Sequence, residues 1–394
     1  MSGQWIGSKL INWASAIDPA ALRQAQQTAD LSYVQPHVAL MPDAHLGRGA
    51  TVGSVLPTVG AVIPAAVGVD IGCGMIAVRT QWVEEQVKGA GDLSRLRKDI
   101  EARIPLSAGK SNRNLSVSAH RRVDELRRLW ADSGIAGDPS DYAKRWDLQL
   151  GTLGSGNHFI EVTVDEESRV WAFLHSGSRG VGNRIAQHHI RVAQQECEDA
   201  GIDLPDRDLA HLTEGTATFD RYIAELDWAQ RYAALNRDEM MERVLAALSR
   251  HMGEEPQESQ RINCHHNFTQ KETHGHRELW ISRKGAIAAH QGQAGLIPGS
   301  MGTASYVVEG KGNADAFCSA PHGAGREYSR TRARKTFTLE DLQRAMKGIE
   351  YRNSAAFIDE IPAAYKNIDR VMEDASDLVT VVHQFRQLLN VKGD

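Results

Sequence analysis

The sequence predicts an α+β protein, because strand-forming and helix-forming stretches both occur without the regular alternation that a doubly wound parallel sheet requires. Two observations carry this reading. Strand-like apolar runs crowd residues 38–80 and recur at wide intervals beyond them. Residues 219–251 instead repeat apolar side chains at threes and fours.

In chain order, the run MIAVRT ends the first strand-rich region after a glycine-rich corner. Further strands are expected at residues 158–164, 170–175, 278–282 and 305–309, with helical signals between them. In residues 219–251, Phe219, Tyr222, Leu226, Ala233, Met240, Val244 and Leu248 form one apolar stripe, suited to a long helix or a helix pair. Thr338 followed by Asp341 resembles an N-cap with an acidic first turn, opening a helix toward Tyr351. No repeat, low-complexity tract or linker divides the chain. The polar motifs lie at both ends and in the middle, so residues 1–394 read as a single compact domain of mixed sheets with surrounding helices.

Composition sets the class. Hydrophobic residues make up 41% and charged residues 24% of 394, the usual balance of a chain with a buried core. The net charge of −5 advertises no nucleic-acid partner, although a local basic groove is enough for phosphate contacts. The first residues, MSGQWIGSKLINWAS, contain no uninterrupted apolar core of a secretory signal. The longest apolar run, residues 61–69, is broken by Pro64 and is far short of the roughly 18 residues that span a bilayer, so no membrane partner is expected. Cys73, Cys197, Cys264 and Cys318 are widely scattered, which points to a reducing compartment, the cytoplasm, and to a metal or catalytic use for any special cysteine.

Six short motifs carry chemistry. In VDIGCG, Asp70 and Cys73 stand three apart on a glycine-flexed corner, where both can face one ion and a thiolate can bridge two. In GTLGSGNHFIE, three glycines precede Asn157 and His158, and Glu161 follows; free backbone N–H groups suit phosphate and an imidazole suits a metal. HSGSRG ends a strand at His175 and adds hydroxyls and Arg179, a phosphate corner. In NCHHN, either His265 or His266 could bind a metal. The turn PGSMG begins at Pro298, and PHGAGR sets His322 on a glycine turn ahead of Arg326, Arg330, Arg332, Arg334 and Lys335, a phosphate track. Each motif alone is equally a solvated turn or a buried structural cysteine.

Several look-alikes fail. Gly109, Lys110 and Ser111 imitate the end of a P-loop, but Ile104 occupies the position of its leading glycine. His274 and His276 lie in a polar loop and read as surface. HExxH and CxxC are absent, as is the Lys-x-Asp-Gly motif that carries the nucleophile of ordinary nucleic-acid ligases.

Taken together and in this order, DIGCGM, GSGNHFIE, HSGSRG, HHN, IPGSMG and HGAGR resemble the RtcB family of GTP-dependent RNA-splicing ligases, over nearly the whole chain from Met41 to Lys392. The resemblance implies an RtcB-like fold and an enzyme that joins RNA 3′-phosphate or 2′,3′-cyclic phosphate ends to 5′-hydroxyl ends, in tRNA splicing or RNA repair. It implies two Mn²⁺ ions held by Asp70, Cys73, His158, His175 and His266, with Cys73 bridging. It implies His322 as the nucleophile that takes GMP from GTP. The guanylate pocket would draw on Asn157, Phe159, Glu161, Asn267, Pro298, Gly299, Ser300, Met301, Ser305, Gly323, Ala324, Gly325 and Lys392. RNA and GTP are the implied partners, with room for an activating protein. Ligand chemistry alone would favour Zn²⁺ over Mn²⁺ on such a donor set, so manganese rests on the resemblance. Two rival readings are a metal-dependent phosphodiesterase or nucleotide hydrolase and a catalytically silent RNA-repair binding protein; a covalent GMP adduct separates the ligase from both.

Overall fold

The computed structural model describes residues 2–394. Two sheets dominate it. The first has six strands in the order Gln4–Trp5, Leu10–Asn12, Val38–His45, Val52–Thr58, Arg277–Lys284, Asn267–His274. The second runs Gln260–His265, Gly74–Val83, Arg169–Ser176, Phe159–Val164, Val379–Val391, Ser305–Gly310, Ala294–Ile297, with Glu350–Tyr351 added alongside Val379–Val391. Among the described residues the pairings between strands are antiparallel except Leu10–Asn12 with Val38–His45 and Glu350–Tyr351 with Val379–Val391. Antiparallel neighbours need no crossover helix, which is why strands and helices do not alternate along the chain. The α+β expectation is met.

The strand period explains the layers. In Gly74–Val83, Met75 and Ala77 face the core shared with the six-stranded sheet, while Ile76 and Val78 face the opposite side. Arg169–Ser176 does the same with Trp171 and Phe173 against Val170, Ala172 and Leu174. Side chains two apart share a face, so one sheet buries both of its surfaces. Met41, Val55 and Ile281 of the six-stranded sheet close the inner core.

The outer surface of the larger sheet is covered by one unbroken helix, Ala217–Met252, rather than a pair. Thr216 caps it by accepting from Phe219 N, and Gly253 ends it at φ +75°, the left-handed conformation glycine adopts freely. At 1.5 Å per residue it is about 54 Å long, enough to serve two cores. Its first half packs Phe219, Tyr222 and Tyr232 among the helices Val117–Asp132 and Arg179–Asp199. Its second half packs Met240, Val244 and Leu248 on the sheet.

The helix opened by Thr338 is shorter than the sequence suggests. The capping box with Asp341 forms, but the helix is Leu339–Ala345, and Gly348 at φ +86° turns the chain into the strand Glu350–Tyr351. Among the described residues no helix is long and apolar enough to cross a membrane.

Candidate active site

Strand register assembles the site. Gly74 pairs with Ser176 and with His265, and His175 pairs with both Met75 and Phe159. Four neighbouring strands therefore end together, and Cys73, His158, His175 and His266 sit at those ends. The corner before Gly74 cannot hold a larger residue there: a Cβ on Gly74 would fall 2.0 Å from the Cys264 carbonyl oxygen.

With Asp70 these four residues form two triads that share Cys73, Asp70–Cys73–His158 and Cys73–His175–His266, each with its donor atoms within 4.8 Å of one another. Cys73 Sγ lies 3.4 Å from His158 Nε2 and 3.2 Å from His175 Nε2. His175 Nε2 and His266 Nε2 are 2.8 Å apart, and His158 Nε2 is 3.0 Å from Asp70 Oδ2. Hydrogen bonding on the far side of two rings settles what those atoms offer. His158 Nδ1 donates to Leu153 O at 2.9 Å, and His266 Nδ1 to Asn267 Oδ1 at 3.2 Å. Their Nε2 atoms are thus lone pairs aimed at other electron-rich atoms, an arrangement that a cation satisfies.

Charge agrees with geometry. Burial holds His175 and His266 well below the ordinary imidazole range, so they stay neutral as ligands must. Burial opposes ionisation of Asp70, yet contact with His158 and the positive charge of Arg179 outweigh it and bring the carboxyl to about 2. Burial and Asp70 push the Cys73 thiol up, so its deprotonation falls to a bound cation. The donor set fits two metal ions sharing one thiolate.

His265, the alternative ligand, is turned away. Its Nδ1 lies 2.8 Å from Gly72 O and 3.1 Å from Arg237 Nη2. His274 pairs with Glu272 at 2.8 Å outside the site.

Beside the second triad stands His322, its ring centroid 4.7 Å from that of His266. Asp43 Oδ2 is 2.6 Å from His322 Nδ1, a close charge contact rather than an aligned hydrogen bond. The same carboxylate oxygen accepts from the backbone N–H of His322 at 3.1 Å and of Gly323 at 3.2 Å. Asp43 was not singled out by sequence; it lies within a strand, and only the fold brings it across 279 residues to His322.

A cavity of about 340 Å³ joins these groups. Asp70, Cys73, His175, His266 and His322 line one part. Asn157, Phe159, Glu161, Asn267, Pro298, Gly299, Ser300, Met301, Gly323, Ala324, Gly325 and Lys392 line the rest. Ser305 is placed differently: it is buried, with its hydroxyl accepting from Gly299 N at 3.2 Å, and it braces the PGSMG turn. Asn267 reaches the cavity, but its amide already bonds Gly285 N, Asp70 O and His266.

Burial raises the Glu161 carboxyl to about 8; Asn390 donates to its Oε1 at 2.8 Å, and Oε2 has no partner. Tyr365 and Lys284 also line the cavity and were passed over in sequence. The buried Lys284 ammonium donates to the carbonyls of Ala65 and Arg48, and burial lowers it to about 8. It places positive charge in the cavity wall.

The arginines divide. Arg326 bonds Tyr328 O, Glu360, Tyr365 OH and Asp359 O, and it also lines the cavity. Arg330 bonds Asp359 and Glu360 but is 44% exposed and lines the cavity. Arg179 lies beneath the GSGNH loop, with Nη1 3.3 Å from His158 Nδ1.

Comparison with known proteins places relatives along nearly the whole chain. The family model described as tRNA-splicing ligase RtcB matches residues 24–393. The RNA-splicing ligase RtcB of Escherichia coli K12 is 46% identical over 390 residues, covering 96% of this chain and 95% of the relative. The tRNA-splicing ligase RtcB of Aeropyrum pernix is 32% identical over 422 residues, covering 90% and 87%. A second Escherichia coli protein, RNA-splicing ligase RtcB2, is 31% identical and covers 96% and 93%.

Proposed function

The chain belongs to the RtcB family and is an RNA ligase, and from that premise we propose that it joins RNA 3′-phosphate ends to 5′-hydroxyl ends through a guanylate carried on His322, with GTP as donor and two Mn²⁺ ions as cofactors. The observation that carries the reading is the placement of His322, buttressed by Asp43, beside a pair of triads that share Cys73 and inside the same cavity as Glu161, whose Oε2 has no partner.

Each residue then has work that follows from its position. Asp43 stabilises the proton on His322 Nδ1, which leaves Nε2 as a neutral nucleophile. Nε2 attacks the α-phosphorus of GTP; the N–P bond forms and the bond to pyrophosphate breaks. An oxygen of the RNA 3′-phosphate next attacks that phosphorus, the P–N bond breaks, and His322 recovers its lone pair. Finally the 5′-hydroxyl attacks the RNA 3′-phosphorus, its proton is lost, and GMP leaves with the bridging oxygen. A 2′,3′-cyclic phosphate must first be opened to a 3′-phosphate. Asp70, Cys73, His158, His175 and His266 would hold the cations, which neutralise the phosphates and the charge that develops in transfer.

Glu161 Oε2 supports guanine over adenine, because guanine offers N1–H and N2–H donors on one edge. Phe159, Met301 and Tyr365 give the base apolar surface, and Lys284 faces the phosphates. Residues 1–394 serve as one catalytic domain, since the long helix belongs to two of its cores. Four free cysteines accord with a cytoplasmic site of action.

The test is incubation with labelled GTP, Mn²⁺ and an RNA bearing 3′-phosphate and 5′-hydroxyl ends. A GMP–protein adduct and a joined RNA are expected. Cleavage of GTP or RNA with neither adduct nor joining would replace the ligation chemistry with a hydrolase reading.

A further inference from the structure

The long helix does more than cover the sheet. Near its middle, Asn236 and Arg237 are both fully buried, and neither belongs to the ligand set or the cavity wall. A buried arginine is costly unless its donors are satisfied. Arg237 satisfies them on the backbone of the ligand-bearing loops. Its Nη1 donates to Gly72 O at 2.8 Å and to Ser176 O at 3.1 Å, the residues directly before Cys73 and after His175. Nη2 lies 3.1 Å from His265 Nδ1, next to His266, and Nε donates to Asn263 Oδ1 at 2.7 Å on the same strand.

Asn236 holds the remaining loop. Its Oδ1 accepts from Gly151 N at 2.7 Å and Thr152 N at 3.2 Å, and its Nδ2 donates to Gly177 O at 3.1 Å and Ser176 Oγ at 3.3 Å. Ser176 Oγ in turn donates to Leu153 O at 2.9 Å, the carbonyl that orients His158. Gly72 completes the fit: a Cβ there would lie 2.9 Å from Gln230 Cα and 2.8 Å from Ala233 Cβ of the helix.

We propose that Asn236 and Arg237 are positioning residues that latch the loops carrying Cys73, His158, His175 and His266 to one turn of the helix, so that both metal triads are set by a single buried device. The proposal rests on the metal reading above. Hydrogen bonds that orient metal ligands from behind change metal affinity by about 10- to 100-fold when lost. Because one turn reaches all four loops, the loss falls on both triads together.

The experiment titrates metal-free protein with Co²⁺, following thiolate-to-cobalt absorption and the number of ions bound, and records a thermal melt of each variant. Arg237→Lys keeps the charge and loses the fork; Asn236→Ala loses the second half of the latch. Each is expected to raise the apparent Kd of both bound ions by about tenfold or more. Asn263 is exposed, so Asn263→Ala folds even if the buried variants do not. It frees one donor of Arg237 and should weaken both ions several-fold. Unchanged Co²⁺ affinity in folded variants, or a loss confined to one ion, would overturn the latch while the metal site stands. Absence of any thiolate band in the unaltered protein would overturn the metal reading and the latch with it.

Discussion

The proposed role of His322 as a nucleophile requires its proton on Nδ1, and Asp43, with Oδ2 2.6 Å away, is the group placed to favour it there. Asp43→Ala should therefore slow GMP transfer to the protein by roughly 100-fold or more, the scale of a lost proton-handling partner, with both metal ions retained. Guanylylation at the normal rate would sink the pairing. Glu161 gives a pH signature. Folding raises its carboxyl from 4.5 to about 8 by burial. The folded chain keeps this proton where the unfolded chain has lost it, so the associated stability is full below about 4.5 and is lost as pH rises through about 8. The melting temperature of nucleotide-free protein should fall over pH 5 to 8 more steeply than that of Glu161→Gln. GTP should bind more tightly as pH approaches 8, because guanine's two donors need the ionised form. Glu161→Gln should flatten that dependence and weaken GTP by roughly 10- to 100-fold, as loss of charged hydrogen bonds does. Parallel melting curves would refute it. Among single residues, the candidate ligands Asp70, Cys73, His158 and His175 and the candidate nucleophile His322 stood out because glycine-rich turns frame them, while His266 was separated from His265 only by the resemblance. Asp43, Lys284 and Arg237 did not stand out, since each gains its role from partners that only the fold brings near.

At the scale of elements, the metal site is a property of strand register. Cys73 meets His175 because Gly74 stands opposite Ser176, and meets His266 because Gly74 also stands opposite His265. Gly74→Ala drives a methyl group into the Cys264 carbonyl, so the two strands must part. The expected cost is about 1–3 kcal/mol, with reduced occupancy of the triad that contains His266. A thermal melt and elemental analysis check this, and full occupancy at unchanged stability would contradict it. Cys73→Ala should empty both triads, whereas His266→Ala should empty one; two ions per chain in Cys73→Ala would end the bridging assignment. The strands around the first three motifs were legible because each apolar run adjoins a glycine corner, whereas Gln260–His265 and Asn267–His274, which flank His266, were not. The central strand Val379–Val391 was not. Its first half leaves Val381 and Val382 exposed and its second half is buried on both faces, so no single period marks it. The end of the helix at Ala345 was also missed, because Gly348 rather than the cap decides where the chain turns.

The whole molecule divides the reaction between two layers. The cation ligands come from the ends of the larger sheet, with Asp70 on the corner that leads into it. Asp43 comes from the strand Val38–His45 of the smaller sheet, and His322 follows Ser319–Pro321, which pairs with Ala286–Ala288. No local pattern could show that these layers meet, since their order is set by contacts across hundreds of residues; only the resemblance of the six motifs anticipated it. The division has a consequence for the chemistry. His322→Ala removes the proposed nucleophile from one layer and leaves all five candidate cation ligands in place, losing only its ring contact with His266. GMP labelling from GTP should vanish, and with it overall joining. In the unaltered protein the adduct should be acid-labile and stable to alkali, as a P–N bond is and an acyl phosphate is not. RNA already carrying GMP on its 3′-phosphate bypasses the lost step, because the last attack needs a 5′-hydroxyl and the cation site but no histidine nucleophile. His322→Ala should therefore seal this activated RNA at a rate within about tenfold of the unaltered protein, a difference of about 1.4 kcal/mol in barrier. Failure to seal it with both ions bound would mean that His322 also serves the final step. A labelled adduct that persists in His322→Ala would move the nucleophile to another residue, with His265 the first to replace.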